Sequence, residues 1–216
     1  MMKPIYPGVF RSRSLFANQF ILRSGEQSLV IDVGLPGFGQ HLLGTIQKTG
    51  ADPHTLAAIL ITHADGDHFG ALAEIRAVNP APVYASPQEA EAIQKGVSSR
   101  ALKPRGFEKF LYSAVSPLYR PSAGVVDHLL EPGQILPFWD GLQVLDTRGH
   151  TPQHVSFFAI EHGVLFSGDS IQIARKKLLP SSGGNTWDEE LAKQSFEMQL
   201  ALHPAVICGG HGIWVR

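Results

Sequence analysis

Thr62-His63-Ala64-Asp65-Gly66-Asp67-His68-Phe69-Gly70 sets four potential metal ligands, His63, Asp65, Asp67 and His68, within six residues. Buried carboxylates and imidazoles are costly unless they are paired or coordinate something, so such density calls for a chemical partner. The run at 56–62, ending Ile-Leu-Ile-Thr, suits a buried strand. Residues 69–78 then read as a helix. The cluster therefore occupies a strand-to-helix loop that Gly66 leaves free to turn. His63 and Asp65 alternate toward one centre, while Asp67 and His68, at the helix start, face a second.

Three more candidates follow apolar strands and are flanked by glycine: His150 in Gly149-His150-Thr151-Pro152, Asp169 in Ser167-Gly168-Asp169, and His211 in Gly210-His211-Gly212. A site fed from several strand ends is how a rigid scaffold displays reactive groups. Residues 16–22 and 28–33 read as a strand pair around Ser24-Gly25. Helical patterns are expected at 39–49, 88–94 and 188–202, and strands at 82–85, 125–130, 142–146, 155–160, 164–166 and 205–208. Strands alternating with helices in both halves make an α/β chain. The stretch 87–124 interrupts the alternation as a helical excursion, with a further helix expected at 106–118.

The remaining composition narrows the function. The 216 residues suit a single domain, 1–216. Lys plus Arg (18) against Asp plus Glu (19) argues against a nucleic-acid binder, whose binding domain is strongly basic. One cysteine, Cys208, excludes an internal disulfide and a cysteine-built zinc site, and its apolar setting (Ala-Val-Ile-Cys) suits an inert buried thiol. With ten histidines, metal chemistry here runs through imidazole and carboxylate. No leader-like apolar stretch opens the chain and no window is apolar enough to span a bilayer. A soluble cytoplasmic protein with no membrane partner is expected. There is no G-x-S-x-G elbow for a serine nucleophile.

The strings LVIDVG (29–34), THADGDH (62–68), GHT (149–151), SGD (167–169) and GHG (210–212) stand in the order that characterises the metallo-β-lactamase-fold hydrolases, which nearly the whole chain resembles. The resemblance implies a four-layer αββα sandwich with a dinuclear metal site at one edge. Site one would be His63, Asp65 and His150; site two would be Asp67, His68 and His211; Asp169 would bridge the two. Asp32 is similar to the family's supporting aspartate behind the ligands, and His154 to a histidine that packs beside them. Two divalent cations are implied, zinc first, with manganese or iron compatible. In the family a metal-bound hydroxide attacks the substrate, and Asp67 orients it or takes its proton. An ester-like substrate is expected: lactone, thioester or carboxylic ester. The alternatives are a phosphodiesterase or, less in keeping with a full second site, a mononuclear-iron persulfide dioxygenase.

One departure affects the chemistry. The usual motif is H-x-H-x-D-H, and Asp65 stands at the middle histidine. Aspartate is a competent zinc ligand, but two dications against three carboxylates and a hydroxide sum to a neutral core. A less acidic bound water and greater tolerance of harder metals are the expectations. Two basic runs could form a rim for an anionic small-molecule substrate, or simply solvated surface. One joins Lys95, Arg100, Lys103, Arg105, Lys109 and Arg120, and the other Arg175, Lys176 and Lys177.

Overall fold

The computed structural model describes residues 2–101, 120–175 and 177–216. β1 (Val9–Ser14), β2 (Ala17–Ser24) and β3 (Gln27–Ile31) form an antiparallel meander, pairing Phe20 with Ile31. β4 (Ala58–Leu60), β5 (Val83–Ala85) and β6 (His128–Leu129) extend this sheet in parallel. A second six-stranded sheet is built from β7 (Ile135–Leu136), β8 (Leu142–Asp146), β9 (Val155–Ala159) and β10 (Val164–Gly168). β11 (Ile171–Ala174) and β12 (Lys177–Pro180) then form a separate hairpin, and β13 (Val206–Gly209) and β14 (Ile213–Val215) complete the second sheet. Its order is β14-β13-β10-β9-β8-β7. β9 and β10, which match the strands expected at 155–160 and 164–166, pair as a hairpin across the turn at Ile160–His162.

Three apolar clusters make four layers. Between the sheets, Phe20, Leu22, Ile31 and Leu60 meet Val144, Phe157, Phe166 and Cys208. On the outer face of the first sheet, α1 (Gly39–Lys48) turns Leu42, Leu43 and Ile46 onto Ile21, Val30 and Ile59. The same face is covered by two further helices, at Leu72–Arg76 and Pro87–Lys95. On the outer face of the second sheet, a helix at Glu189–Ala201 brings Phe196 and Leu200 against Leu165 and Ile207. Asp188 starts that helix by accepting the Glu190 and Leu191 amides. This is the αββα sandwich.

Several boundaries differ from expectation. The helix expected at 69–78 is two: α2 (Gly66–Phe69) begins early enough to carry Asp67 and His68, and α3 (Leu72–Arg76) follows after a break at Gly70 and Ala71. A side chain at Gly70 would overlap Pro36 and the Gly66 carbonyl, so only glycine lets these segments approach. Of the excursion, α4 (Pro87–Lys95) occupies the start, and β6 is shorter than the strand expected at 125–130. The helix expected at 106–118 lies outside the described residues; the C-terminal helix, α5 (Glu189–Ala201), stands where the sequence places it. No helix among the described residues is long and apolar enough to cross a membrane.

β3, β4, β10 and β13 end at a common edge, where the residues that follow include Asp32, Thr62-His63, Asp169 and Gly210-His211. Loops at the carboxyl ends of such strands are where α/β sheets place their sites.

Candidate metal centre

The seven candidate ligands converge at that edge. His63, Asp65 and His150 form one group, Asp67, His68 and His211 another, and His63, His68 and Asp169 a third that joins them. Asp65 Oδ2 lies 3.4 Å from His63 Nε2 and 3.1 Å from His150 Nε2. Asp67 Oδ2 lies 3.5 Å from His211 Nε2. Asp169 stands between the groups, with Oδ2 3.6 Å from His150 Nε2 and 3.1 Å from His211 Nε2, and Oδ1 3.4 Å from His68 Nε2. Six of the seven are buried or half-buried; His211 lies at the exposed mouth.

What stands behind the imidazoles decides their orientation. His68 Nδ1 donates to Asp32 Oδ2 at 2.7 Å. His63 Nδ1 donates to Thr62 Oγ1 at 3.0 Å, and that hydroxyl donates onward to Asp32. His150 Nδ1 shares a hydrogen bond with Ser181 Oγ at 2.9 Å, and His211 Nδ1 donates to the Phe16 carbonyl at 3.2 Å. All four rings thus spend Nδ1 on the protein and turn Nε2 inward, the arrangement by which outer hydrogen bonds orient metal-ligating histidines. Asp32 reaches both loops because it adopts a left-handed backbone, φ +58°, which aspartate tolerates better than most residues. His154 is turned the other way. Its Nε2 accepts the Asp169 amide at 3.1 Å and its Nδ1 contacts Thr147 Oγ1 at 2.8 Å, so it positions Asp169 and has no nitrogen free for the site.

Two residues outside the sequence motifs complete the frame. Glu89, fully buried in α4, accepts the Ala64 amide at 2.8 Å, the Thr151 hydroxyl at 2.7 Å and the Gln153 amide at 3.2 Å. It fastens the THADGDH loop to the GHT loop. Arg100, one of the basic-run residues, does not face solvent: it is buried against Asp65, 2.6 Å from Nη1 to Oδ1. The rest of that run divides. Lys95 is exposed beside Glu91, Arg120 is exposed, and Lys103, Arg105 and Lys109 lie outside the described residues. Arg175 and Lys177 are exposed at the β11–β12 turn, and Lys176 lies outside the described residues.

Electrostatics match the geometry. Burial alone would raise Asp65, but His150, His63 and the Arg100 charge outweigh it and hold the carboxyl well below the usual range. Asp169 is held low in the same way, burial being overcome by His68 and His211. Burial disfavours charge on His68, yet Asp169, Asp32 and Asp67 raise its pKa well above normal. His211 rises to about 9, burial being outweighed by Asp169. His150 is lowered by burial, and His154 well lowered by burial and its histidine neighbours. Burial pushes the Cys208 thiol up, consistent with an inert core residue.

The donor set fits divalent metal. His63 Nε2, His68 Nε2 and Asp169 Oδ1 are buried without hydrogen-bond partners, and orphaned buried polar atoms need a reason. Gly210 leaves the space: a Cβ there would overlap Asp169 Oδ1 and come 2.6 Å from His68 Cε1. Imidazole with carboxylate suits zinc, iron or manganese.

Fold and edge site together define a metallo-hydrolase architecture. Residues 13–211 match the metallo-beta-lactamase superfamily; the chain belongs to that superfamily and is one of its enzymes. It is similar to the probable metallo-hydrolase YqgX of Bacillus subtilis, 32% identical over 203 residues, covering 91% of this chain and 85% of that one. It is also similar to the acyl-coenzyme A thioesterase MBLAC2 of Gallus gallus, 29% identical over 191 residues, 78% of this chain and 65% of that one. Among solved structures, TTHA1623 in a di-iron-bound form superposes with a TM-score of 0.71 at 27% identity, covering 96% of this chain and 93% of that one.

Proposed function

We propose that the chain hydrolyses an ester-like bond (lactone, thioester or carboxylic ester) at a dinuclear metal site. His63, Asp65 and His150 would hold one ion and Asp67, His68 and His211 the other, with Asp169 shared. The carrying observation is that four imidazoles spend Nδ1 on hydrogen bonds to the protein and turn Nε2 toward three carboxylates. Metal held by these residues would supply a water whose pKa is lowered toward about 7 and a Lewis acid for the scissile carbonyl. Zinc is the first choice, and the di-iron form of TTHA1623 supports iron as a second.

The chain's own residues supply positioning and proton handling. Asp67, half-buried 3.5 Å from His211 Nε2, is placed to orient the attacking water and take its proton. Asp169, fixed by His154 through its amide, keeps its carboxylate between the two groups. Leu15 and Phe16 are about half exposed at the β1–β2 turn, and the Phe16 ring lies 5.8 Å from His211. An apolar acyl or ring portion of a small substrate finds its surface there. The thioesterase name of MBLAC2 supports a thioester within this class. A phosphodiester substrate is the second reading, favoured by exposed Arg175 and Lys177 at the β11–β12 turn. A soluble, cytoplasmic setting, without nucleic-acid or membrane partners, completes the proposal. Purified protein loaded with zinc or iron should turn over members of a lactone and thioester panel and leave phosphodiesters intact. Hydrolysis of phosphodiesters alone would overturn the ester reading.

A further inference from the structure

We propose that Arg100 is a positioning residue whose guanidinium, clamped on Asp65, makes the Asp65–Arg100 pair the substitute for a neutral imidazole between His63 and Asp67. The inference rests on the metal-site reading above. The Arg100 side chain is 2% exposed, with Nη1 2.6 Å from Asp65 Oδ1 and Nη2 2.9 Å from Oδ2. Such two-point pairing fixes the plane of a carboxylate as a single charge does not.

The remaining donors are spent inside the chain. Nε and Nη2 both donate to the Asn185 carbonyl, at 3.0 and 2.6 Å, and Nη1 to Ser98 Oγ at 3.2 Å. Ser98 in turn donates to Asp65 Oδ1 at 2.8 Å. With its donors consumed, Arg100 is built to hold Asp65 rather than substrate. The clamp also divides the carboxylate. Oδ1 is taken up by Arg100 and Ser98, while Oδ2, besides its bond from Arg100 Nη2, is the oxygen that meets His63 and His150. One inward oxygen is what a single imidazole nitrogen would offer.

The charges follow the same logic. An imidazole ligand brings no charge, Asp65 brings one negative, and Arg100 cancels it. Counting Arg100 as well, the sum of two dications, three carboxylates and a hydroxide would return from neutral to the single positive charge of a histidine-containing site. Nη2 also stands 3.3 Å from His150 Nε2, so a histidine in place of Asp65 would leave a buried guanidinium among imidazoles without its carboxylate. An uncompensated buried charge is strongly unfavourable. Asp65 and Arg100 should accordingly be coupled, each harmful to remove alone.

The test is a double-mutant cycle of the wild type, Asp65→His, Arg100→Gln and Asp65→His/Arg100→Gln. Zinc stoichiometry, zinc affinity by chelator competition and the melting temperature of each metal-free protein are the readouts. Each single change should weaken one of two zinc sites by roughly ten- to a hundredfold, the range for losing a residue that orients a ligand. Each should also lower the metal-free melting temperature, and the double variant should recover most of both losses. Arg100→Lys, which keeps the cation without the fork, should bind zinc between the wild type and Arg100→Gln. Single losses that multiply in the double variant, while the wild type still binds two zinc ions, would overturn the role of Arg100 alone. A wild type that takes up no zinc would instead overturn the metal reading beneath it.

Discussion

Asp32 accepts the Nδ1–H of His68 at 2.7 Å, and the same carboxylate accepts the Thr62 amide and hydroxyl. One side chain behind the site thus sets two ligand-bearing loops. Replacing Asp32 by Asn substitutes an amide for an acceptor shared by several donors, so His68 and, through Thr62, His63 lose their aim. Metal affinity should fall roughly ten- to a hundredfold, read by chelator competition. Unchanged affinity would show that Asp32 only caps its turn.

Gly210 leaves room for the cradle beside Asp169 and His68. Gly210→Ala should abolish binding at the group containing His68 while the circular dichroism spectrum stays that of a folded protein. A variant that retains its full metal content would remove Gly210 from the site.

Glu89 joins Ala64 to Thr151 from a fully buried position. Glu89→Ala leaves buried donors without an acceptor, at about 1–3 kcal/mol for each group stranded. The urea midpoint should drop accordingly even in metal-free protein. Loss of metal affinity with no loss of stability would contradict this framing role.

His154 gives a pH signature. Its folded pKa is well lowered, chiefly by burial and then by His63 and His150, so the unfolded chain binds the extra proton first. Stability from neutral His154 is complete above the unfolded value near 6.5 and declines as pH falls below it, by at most ~1.4 kcal/mol per pH unit. A glutamine at this position would not titrate. In metal-free protein the stability advantage of the wild type over His154→Gln should shrink between pH 7.5 and 5.5, measured by urea denaturation. A constant difference would place the titration elsewhere.

The ligand positions were legible because local density and flanking glycines mark them: His63 to His68 fall within one six-residue stretch, and Gly149, Gly168 and Gly210 precede the others. The β1 strand was not, since its buried positions include Ser12 and Ser14 while Arg11 and Arg13 face out. Its period of two is carried by serines, and no hydrophobic alternation shows. Glu89 reads as an ordinary acid in the first turn of a helix, and only the packing of α4 against two loops reveals that it is buried. Arg100 is hidden more deeply. Its partner lies thirty-five residues earlier and its anchor at Asn185 eighty-five later, so it reads as one more charge in a basic run. The charge effect of Asp65 could be read from the chain; its compensation required the fold.

On the proposed reading, one chain would assemble a two-metal centre from His63, Asp65, Asp67, His68, His150, Asp169 and His211. Elemental analysis of purified protein, titrated with zinc and with iron after chelation, tests it most directly. Two metal ions per chain, with loss of hydrolysis on chelation and its return on reloading, are predicted. One ion per chain, or none, would contradict it.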